Sequence, residues 1–446
     1  MSHRNRVIYQ SEAVFVSQSG YNGDLTALSG LAPSDKGWRT VAEAPARDAV
    51  INLNRVQSAN YSFSISRQDV NQFGELASID RIITDTPTVS FDTSYILANL
   101  DNEARLGFEV TPSGASYSAS DMVSCISGLI DSSSNAHQKN YFILTTKEGS
   151  DAVANTNTGK YESIIGIGNG FITSYSTEGA VGGLPTASIS VEGMNMNFNT
   201  IATGSQISAT AAANEDQGKG FAFNSAGSKL LGISGKSPAI NPTDGTSIDQ
   251  NVVLPVPSGN ASGAMPGTIS ALRPGDITVS LIAGGRALDD ELMSNSTTDA
   301  DLLVGTDIRD AHIQSYTLSF DMSRTPIQKL GTRFAFARPV DFPITASLSI
   351  DAILADLTTG TIADLINCDN SYDAIIKIKD PACNISPKPV VLAYLVRDLK
   401  IDSESFTSSI GDNKSVTLDF SCQIGGPEQK DVGVFMSGVY NVDALS

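Results

Sequence analysis

The sequence predicts a mainly β chain: two tandem copies of one domain, each a β-sandwich or partial barrel with a flanking helix. Three observations point to this class. The phrase VQSANYSFSISRQDVNQFG, beginning at Val56, returns as IQSYTLSFDMSRTPIQKLG, beginning at Ile313. Aligned without a gap at a constant offset of 257, residues 57–100 and 314–357 share fourteen identities in 44 positions, where chance gives about three. Among them are Gln57/Gln314, Ser62/Ser319, Phe63/Phe320, Ser66/Ser323, Arg67/Arg324, Gly74/Gly331, Arg81/Arg338 and Ser90/Ser347. The second observation is alternation of apolar and small polar residues, the period of a half-buried strand. The third is composition: 41% hydrophobic, only 17% charged, and rich in the turn-forming residues Gly, Ser, Asn and Asp.

Taken in order, residues 1–54 lie before the repeat, hold the single tryptophan (Trp38), and read as an N-terminal arm with first strands. The first copy spans 55–200. In NYSFSISR, Tyr61, Phe63 and Ile65 face one way and Ser62, Ser64 and Ser66 the other; TVSFDTS sets Val89 and Phe91 against Ser90 and Asp92. A helix is expected over 118–131, where Met122, Cys125, Ile126, Leu129 and Ile130 fall at helical spacing. Downstream, SGLIDSSSNAHQKNYFILTTKEG (127–149) is echoed by ADLINCDNSYDAIIKIKDP (363–381), and SISVEG sets Ile189 and Val191 on one face. Residues 201–274, rich in Gly, Ser and Ala, are a decorated linker or a small insertion, since a plain loop of that length is uncommon in a compact domain. The second copy spans 275–446. It repeats the alternation with Leu318, Phe320 and Met322 against Ser319, Asp321 and Ser323, with Ala346 and Leu348 against Ser347 and Ser349, and with Val416 and Leu418. Its helix is expected over 358–367, from Ile362, Leu365 and Ile366. In each copy the helix covers the apolar face of the sheet.

Composition also excludes functions. A net charge of −19 argues against a protein that grips nucleic acid, because phosphate affinity comes from Lys and Arg displacing counterions. No stretch approaches the roughly 20 apolar residues of a membrane span, and the basic start MSHRNR has no apolar run behind it, so neither a membrane partner nor a signal peptide is expected. Cys125, Cys368, Cys383 and Cys422 lack paired spacing and read as reduced, small hydrophobes. His3, His137 and His312 stand apart from one another, leaving no acid–base or metal constellation. GISGKSP (232–238) carries a Gly-Lys-Ser, but Leu230 stands where a phosphate-binding loop needs its first glycine. The clusters at 289–291 and 299–302 lack the ligand pattern of a calcium loop. No enzyme, metal or cofactor is expected.

The paired strands NYSFSISRQ…TVSFDTSYILANL and YTLSFDMSRT…TASLSIDAILADL, each followed by a helix and a further hairpin, resemble the phage tail-tube (major tail) proteins. The likeness is to the duplicated type, whose trimers imitate a hexamer, and it covers about 55–200 and 312–425. The resemblance implies a virion protein, assembled in the bacterial host cytoplasm, whose homotrimeric rings stack into a tail tube. Each copy would give strands to a continuous inner barrel around a channel that carries DNA during ejection. Partners would be the chain itself and other tail proteins (tape measure, tail tip or baseplate, terminator), with DNA passing through without tight binding. Three chains at −19 each carry roughly −57, which repels phosphate and lets the duplex slide. The lumen-lining candidates are Ser62, Ser64, Ser66, Ser90, Asp92, Ser319, Asp321, Ser323, Ser347 and Ser349. Two other readings fit a β-sandwich virion protein: a host- or glycan-binding subunit, and a decoration or baseplate ring that does not stack.

Overall fold

The computed structural model describes residues 12–17, 50–112, 123–130, 138–146, 152, 161–200, 221–223, 229–236, 238–240, 251–255, 272–283, 311–331, 334–335, 337–354, 371–380, 390–407 and 415–438. Trp38, Met122, His3, His137, Cys368, Cys383, the helix expected over 358–367, the acidic clusters and most of 201–274 lie outside them. The described chain is mainly β and is dominated by one large, almost wholly antiparallel sheet system.

In the first half of the chain, β1 (Glu12–Ser17) pairs with β2 (Val50–Asn52) and β8 (Lys139–Thr146). β8 pairs with the first part of β9 (Tyr161–Ala180), whose other neighbour there is β11 (Asn195–Thr200). The later part of β9 leaves this layer and joins another, in the order β9, β10 (Thr186–Gly193), β6 (Thr88–Ile96), β3 (Val56–Ser64). The second half follows the same order. β15 (Ile277–Ala283), β18 (Tyr372–Lys379), the first part of β19 (Val390–Thr407) and β21 (Gly433–Gly438) make one layer. The later part of β19, β20 (Ser415–Ile424), β17 (Ile344–Leu354) and β16 (Ala311–Asp321) make the other. The likeness extends to irregularities: the β9–β10 ladder skips Thr173 and the β19–β20 ladder skips Asp402, each opposite a bulge in the same place.

The two long strands change layer at Asn169 and Asp398, which hold left-handed backbone at φ 54° and 58°. Asn and Asp tolerate that region better than other side chains. Each corner is held in the same way, with the Asn169 N–H donating to Asn140 Oδ1 (3.0 Å) and the Asp398 N–H to Asp373 Oδ1 (3.2 Å). Beside the first corner Gly168 leaves room for Pro238, whose carbonyl oxygen would lie 2.1 Å from a Cβ there. Asn169 then takes Ile240 in a two-way amide contact, 2.8 and 3.1 Å. Within 201–274, β12 (Phe221–Phe223), β13 (Lys229–Lys236) and β14 (Asn251–Pro255) form a separate three-stranded sheet. The Gly-Lys of the rejected phosphate loop is in β13, laddered to β14.

Between the layers lies one core. Phe91 stacks near Tyr141 (5.5 Å between ring centroids), and Ile189, Leu348, Phe420, Ile376 and Val396 are buried in the same cluster. Each such side chain contributes roughly 1.5–3 kcal/mol by leaving water. Cys125 and Cys422 are buried free thiols in this core; burial pushes both thiols up, Cys422 to about 12, so they behave as small hydrophobes.

Two short helices differ from expectation. α1 (Asp101–Leu106) was not foreseen, because its buried face carries Asn102, Glu103 and Arg105 in place of apolar residues. It ends on Gly107 at φ 97°, and the N–H of Gly107 closes on Ala104 O. The helix expected over 118–131 is reduced, among its described residues, to α2 (Ser127–Ile130). Its apolar spacing does bury Cys125, Ile126 and Leu129. Helix fails at Cys125 because its backbone is taken by tertiary partners: its N–H donates to Val434 O (2.9 Å) and its carbonyl accepts from the Glu109 N–H (2.8 Å). No helix among the described residues is long and apolar enough to cross a membrane.

Candidate functional surface

β16 pairs not only with β17 but with β9, Ser315 opposite Ala180 and Asp321 opposite Ser174. This seam fuses the two inner groups into one antiparallel run, β19-β20-β17-β16-β9-β10-β6-β3. Directly paired residues share a face, so the ladders define what that face carries. One row reads Ser421, Ser347, Ser319, Ser176, Ser188, Ser94, Ser58, a serine from each of seven successive strands, and it ends on Lys400 of β19. A neighbouring row reads Asp321, Ser174, Ser190, Asp92, Asn60.

The polar side chains are tied to one another across the strands. Ser58 and Ser94 hydroxyls meet at 2.6 Å, Ser62 and Ser90 at 2.7 Å, Ser176 and Ser188 at 2.8 Å. Ser190 donates to Asp92 (2.7 Å), Ser315 and Thr417 to Asp351 (2.7 and 2.5 Å), Ser349 and Ser403 to Asp419 (2.7 Å each). The two serine hydroxyls hold the Asp419 carboxyl below its ordinary range, so it stays ionised at any neutral pH. Among the described residues no lysine or arginine forms an ion pair with Asp92, Glu178, Asp321, Asp351 or Asp419. Glu192, at one end, is paired with Arg338 at 2.6 Å.

The six carboxylates divide three and three, Asp92, Glu178 and Glu192 on the first set, Asp321, Asp351 and Asp419 on the second. No two occupy matching places. Asp92 corresponds to Ser349, Asp321 to Ser64, Asp351 to Ser94 and Asp419 to Ser190, as the ladders and bulges align. Both sets are acidic, with the acids at different positions. A binding site needs particular atoms in particular places; a repulsive field needs only the sign.

Of the sequence-derived candidates, Ser62, Ser64, Ser90, Asp92, Ser319, Asp321, Ser347 and Ser349 lie on this face by register. Ser66 and Ser323 lie just past the ends of β3 and β16, outside the ladders. Ser94, Ser174, Ser176, Glu178, Ser188 and Ser190 were not among the candidates, although the alternation in ITSYSTEG (172–179) carries the same signal.

Among the described strands the run has two free edges, β3 and the later part of β19. There the opposite face also behaves unexpectedly. Phe320 and Leu318 of β16 are buried, with Phe320 edge-on to Phe108 at 6.2 Å. Their counterparts on β3, Phe63 and Tyr61, are 58% and 39% exposed, because no described strand pairs beyond β3. On the other edge Phe406 is 55% exposed.

Beneath the seam a buried polar knot joins the two halves. Tyr95 and Tyr175 donate to Glu103 Oε1 (2.9 and 3.2 Å), and the Tyr175 hydroxyl meets that of Tyr394 at 2.9 Å. Burial, with a smaller push from Asp101, raises the Glu103 carboxyl to about 7, and it raises all three tyrosines. The folded pKa lies above the ordinary 4.5, so the contribution of Glu103 is fully present below pH 4.5 and is lost as pH rises through 7. That difference is worth roughly 3 kcal/mol. Glu103→Gln should therefore flatten the fall in Tm between pH 5 and 8; an unchanged slope would remove Glu103 as its source.

No family model matches the chain, and no curated protein matches it. Among solved structures it is similar to a chain in the tail of an empty gene transfer agent particle, at 14% identity and a TM-score of 0.19, over 29% of this chain and 84% of that one. It is also similar to a chain in the virion of a native gene transfer agent particle, at 14% identity and TM-score 0.19, over 32% of this chain and 100% of that one. The likeness is too slight to assign a role.

Proposed function

We propose that this chain is a structural subunit of a phage-type tail tube, in which rings of three chains stack into a conduit for DNA. The observation that carries the reading is the seam. Inside one chain, the leading strand of the second set (β16) pairs with the turned strand of the first (β9). β3 is the leading strand of the first set and β19 the turned strand of the second, and each is a free edge among the described strands. The same contact made between chains, head to tail, joins copy to copy with every joint alike. Head-to-tail joints close into a ring when the rotation allows, and closure removes unpaired edges.

Ring size follows from strand number. With strands about 4.8 Å apart and tilted near 40°, three chains of eight strands give a barrel roughly 45–50 Å across between backbones. Two chains give only about 30 Å, too tight for a hydrated duplex once side chains are added. The small, mutually bonded serines and the acidic field would face the bore, where carboxylates outnumber Lys400, the one lysine of the described serine row, and repel phosphate. The chain would act by shape and charge, with no catalytic, metal or cofactor role, in a virion tail assembled in the host cytoplasm beside the tape measure, terminator and tip or baseplate proteins.

Electron microscopy of the purified chain, dilute and concentrated, tests this. Hollow stacked rings with three-fold symmetry and six-fold appearance are expected. Closed rings that refuse to stack would move the assignment to a shell or baseplate ring. Chains that stay monomeric at high concentration, with and without other tail components, would overturn it.

A further inference from the structure

The stretch Met322–Pro343 joins β16 to β17, and its counterpart in the first set is the hairpin β4 (Arg67–Val70)–β5 (Asp80–Ile83), between β3 and β6. The two stretches keep Arg67/Arg324, Gly74/Gly331 and Arg81/Arg338 at one offset. Both glycines are left-handed, at φ 95° and 88°. Their surroundings differ. The Arg338 side chain is 2% exposed and donates to Glu192 Oε1 at 2.6 Å. Arg324 donates to Leu129 O at 3.1 Å and lies 4.9 Å above the Phe171 ring, and Phe334 packs against Phe171, Met194 and Ile240. These contacts clamp the second stretch onto the end of the first strand set, at β9 and β10.

Among the described residues the hairpin has no such seat in its own chain. Arg81, 66% exposed, reaches only Asp69 across the hairpin. Phe73, Leu76, Ile82 and Ile83 are exposed, the first two completely. Yet the hairpin continues directly from the free edge β3, and it lies beside the seated stretch, Gln328 Nε2 donating to Asp85 Oδ1 at 3.0 Å.

We infer that the β4–β5 hairpin is a docking arm for a second copy of this chain, seated on the ends of that copy's β19 and β20 as Met322–Pro343 is seated on β9 and β10. The inference rests on the ring reading above and adds to it a specific, weaker joint. Glu192 is opposite Phe171 in the first set; the residues in those places in the second are Ser421 and Lys400. An incoming Arg81 would therefore meet a hydroxyl where Arg338 meets a carboxylate, and Arg67 would meet an ammonium where Arg324 has an aromatic ring. The joint between chains lacks the lock of the joint within one, and its adhesion falls to the apolar side chains of the arm.

Ser421→Glu would restore the lock. Ser421 is half-buried on the polar face of β20, so the exchange leaves the core alone. The expected result is a critical concentration for assembly lower by about tenfold, as for a close charge pair formed at an interface. Arg81→Ala in the same chain should cancel the whole gain. Rings that form normally but show no gain, or a gain that survives Arg81→Ala, overturn the docking arm and leave the ring reading standing. Should Ser421→Glu fold poorly, an Arg81→Cys, Ser421→Cys chain gives a second readout: a disulfide between chains in oxidised rings supports the arm, and none overturns it. A wild-type chain that never forms rings overturns both.

Discussion

A chain carrying Tyr61→Asp and Phe63→Glu is expected to fold as the wild type does and to remain a monomer at concentrations where the wild type assembles. Among the described strands both side chains lie on an open edge, and Tyr61 meets Phe198 edge-on, 6.1 Å between centroids, so the folded monomer should lose little. The joint between chains loses much more. Carrying the β16–β9 register over to β3 and the neighbour's β19 sets Tyr61 opposite Phe406, Phe63 opposite Glu404 and Ser62 opposite Ser405. The double exchange removes two aromatics worth roughly 1.5–3 kcal/mol each from that joint and puts a second carboxylate against Glu404. A loss of about 3–5 kcal/mol per joint raises the dissociation constant by a factor of 10²–10⁴, and a ring needs every joint. Sedimentation velocity beside circular dichroism reads both halves of the claim. Adding Glu404→Lys should return part of the assembly by pairing with the new glutamate. Rings at the wild-type threshold from the double variant would show that β3 is not the contact, and failure of the third exchange to help would show that the register is wrong.

The second large effect concerns the acidic face. Asp92→Lys with Asp321→Lys should leave tubes intact and turn an indifferent surface into one that holds DNA. Each exchange shifts the face by two charge units, roughly a dozen in a ring of three, and every lysine that reaches a phosphate releases counterions. Wild-type tubes should show no measurable DNA affinity. The variant should bind DNA in low salt and lose it by about 10³-fold between 50 and 200 mM, and particles carrying it should eject slowly. Neither exchange touches the core, because both residues are exposed and Asp92 loses only the hydrogen bond from Ser190. Intact tubes with unchanged DNA affinity and unchanged ejection would mean the face does not line the bore.

Much of this molecule was legible in its sequence, for a reason particular to strands. Where one face of a sheet is buried, every second residue must be apolar, so Val89, Phe91, Ile189, Val191, Leu348 and Val416 announced both the strands and their inward side. The serines between them announced the polar face. The same reasoning failed at 118–131, where apolar spacing suited a helix but the backbone of Cys125 was claimed by Val434 and Glu109. It also failed at α1, whose buried face is polar and paired with Asn52, Asn54 and the Tyr95–Tyr175 knot, so no apolar periodicity marked it.

The amino-acid sequence by itself therefore determined the mainly β class, the inward residues of most inner strands, and an acidic chain poor in groups that hold phosphate. Only the tertiary structure decided which strands are neighbours: that β9 and β19 each serve two layers, that β16 seats against β9, and that β3 and β19 are left open. Alternation records burial, which is a local property of a strand. Pairing is a contest among distant partners, settled by whole matching edges and by corners such as Asn169 and Asp398, whose left-handed backbone no periodicity foretells. Alternation alone made Phe63 and Phe320 look alike in the sequence, and only the position of β3 at an edge of the described run and of β16 within it sets them apart.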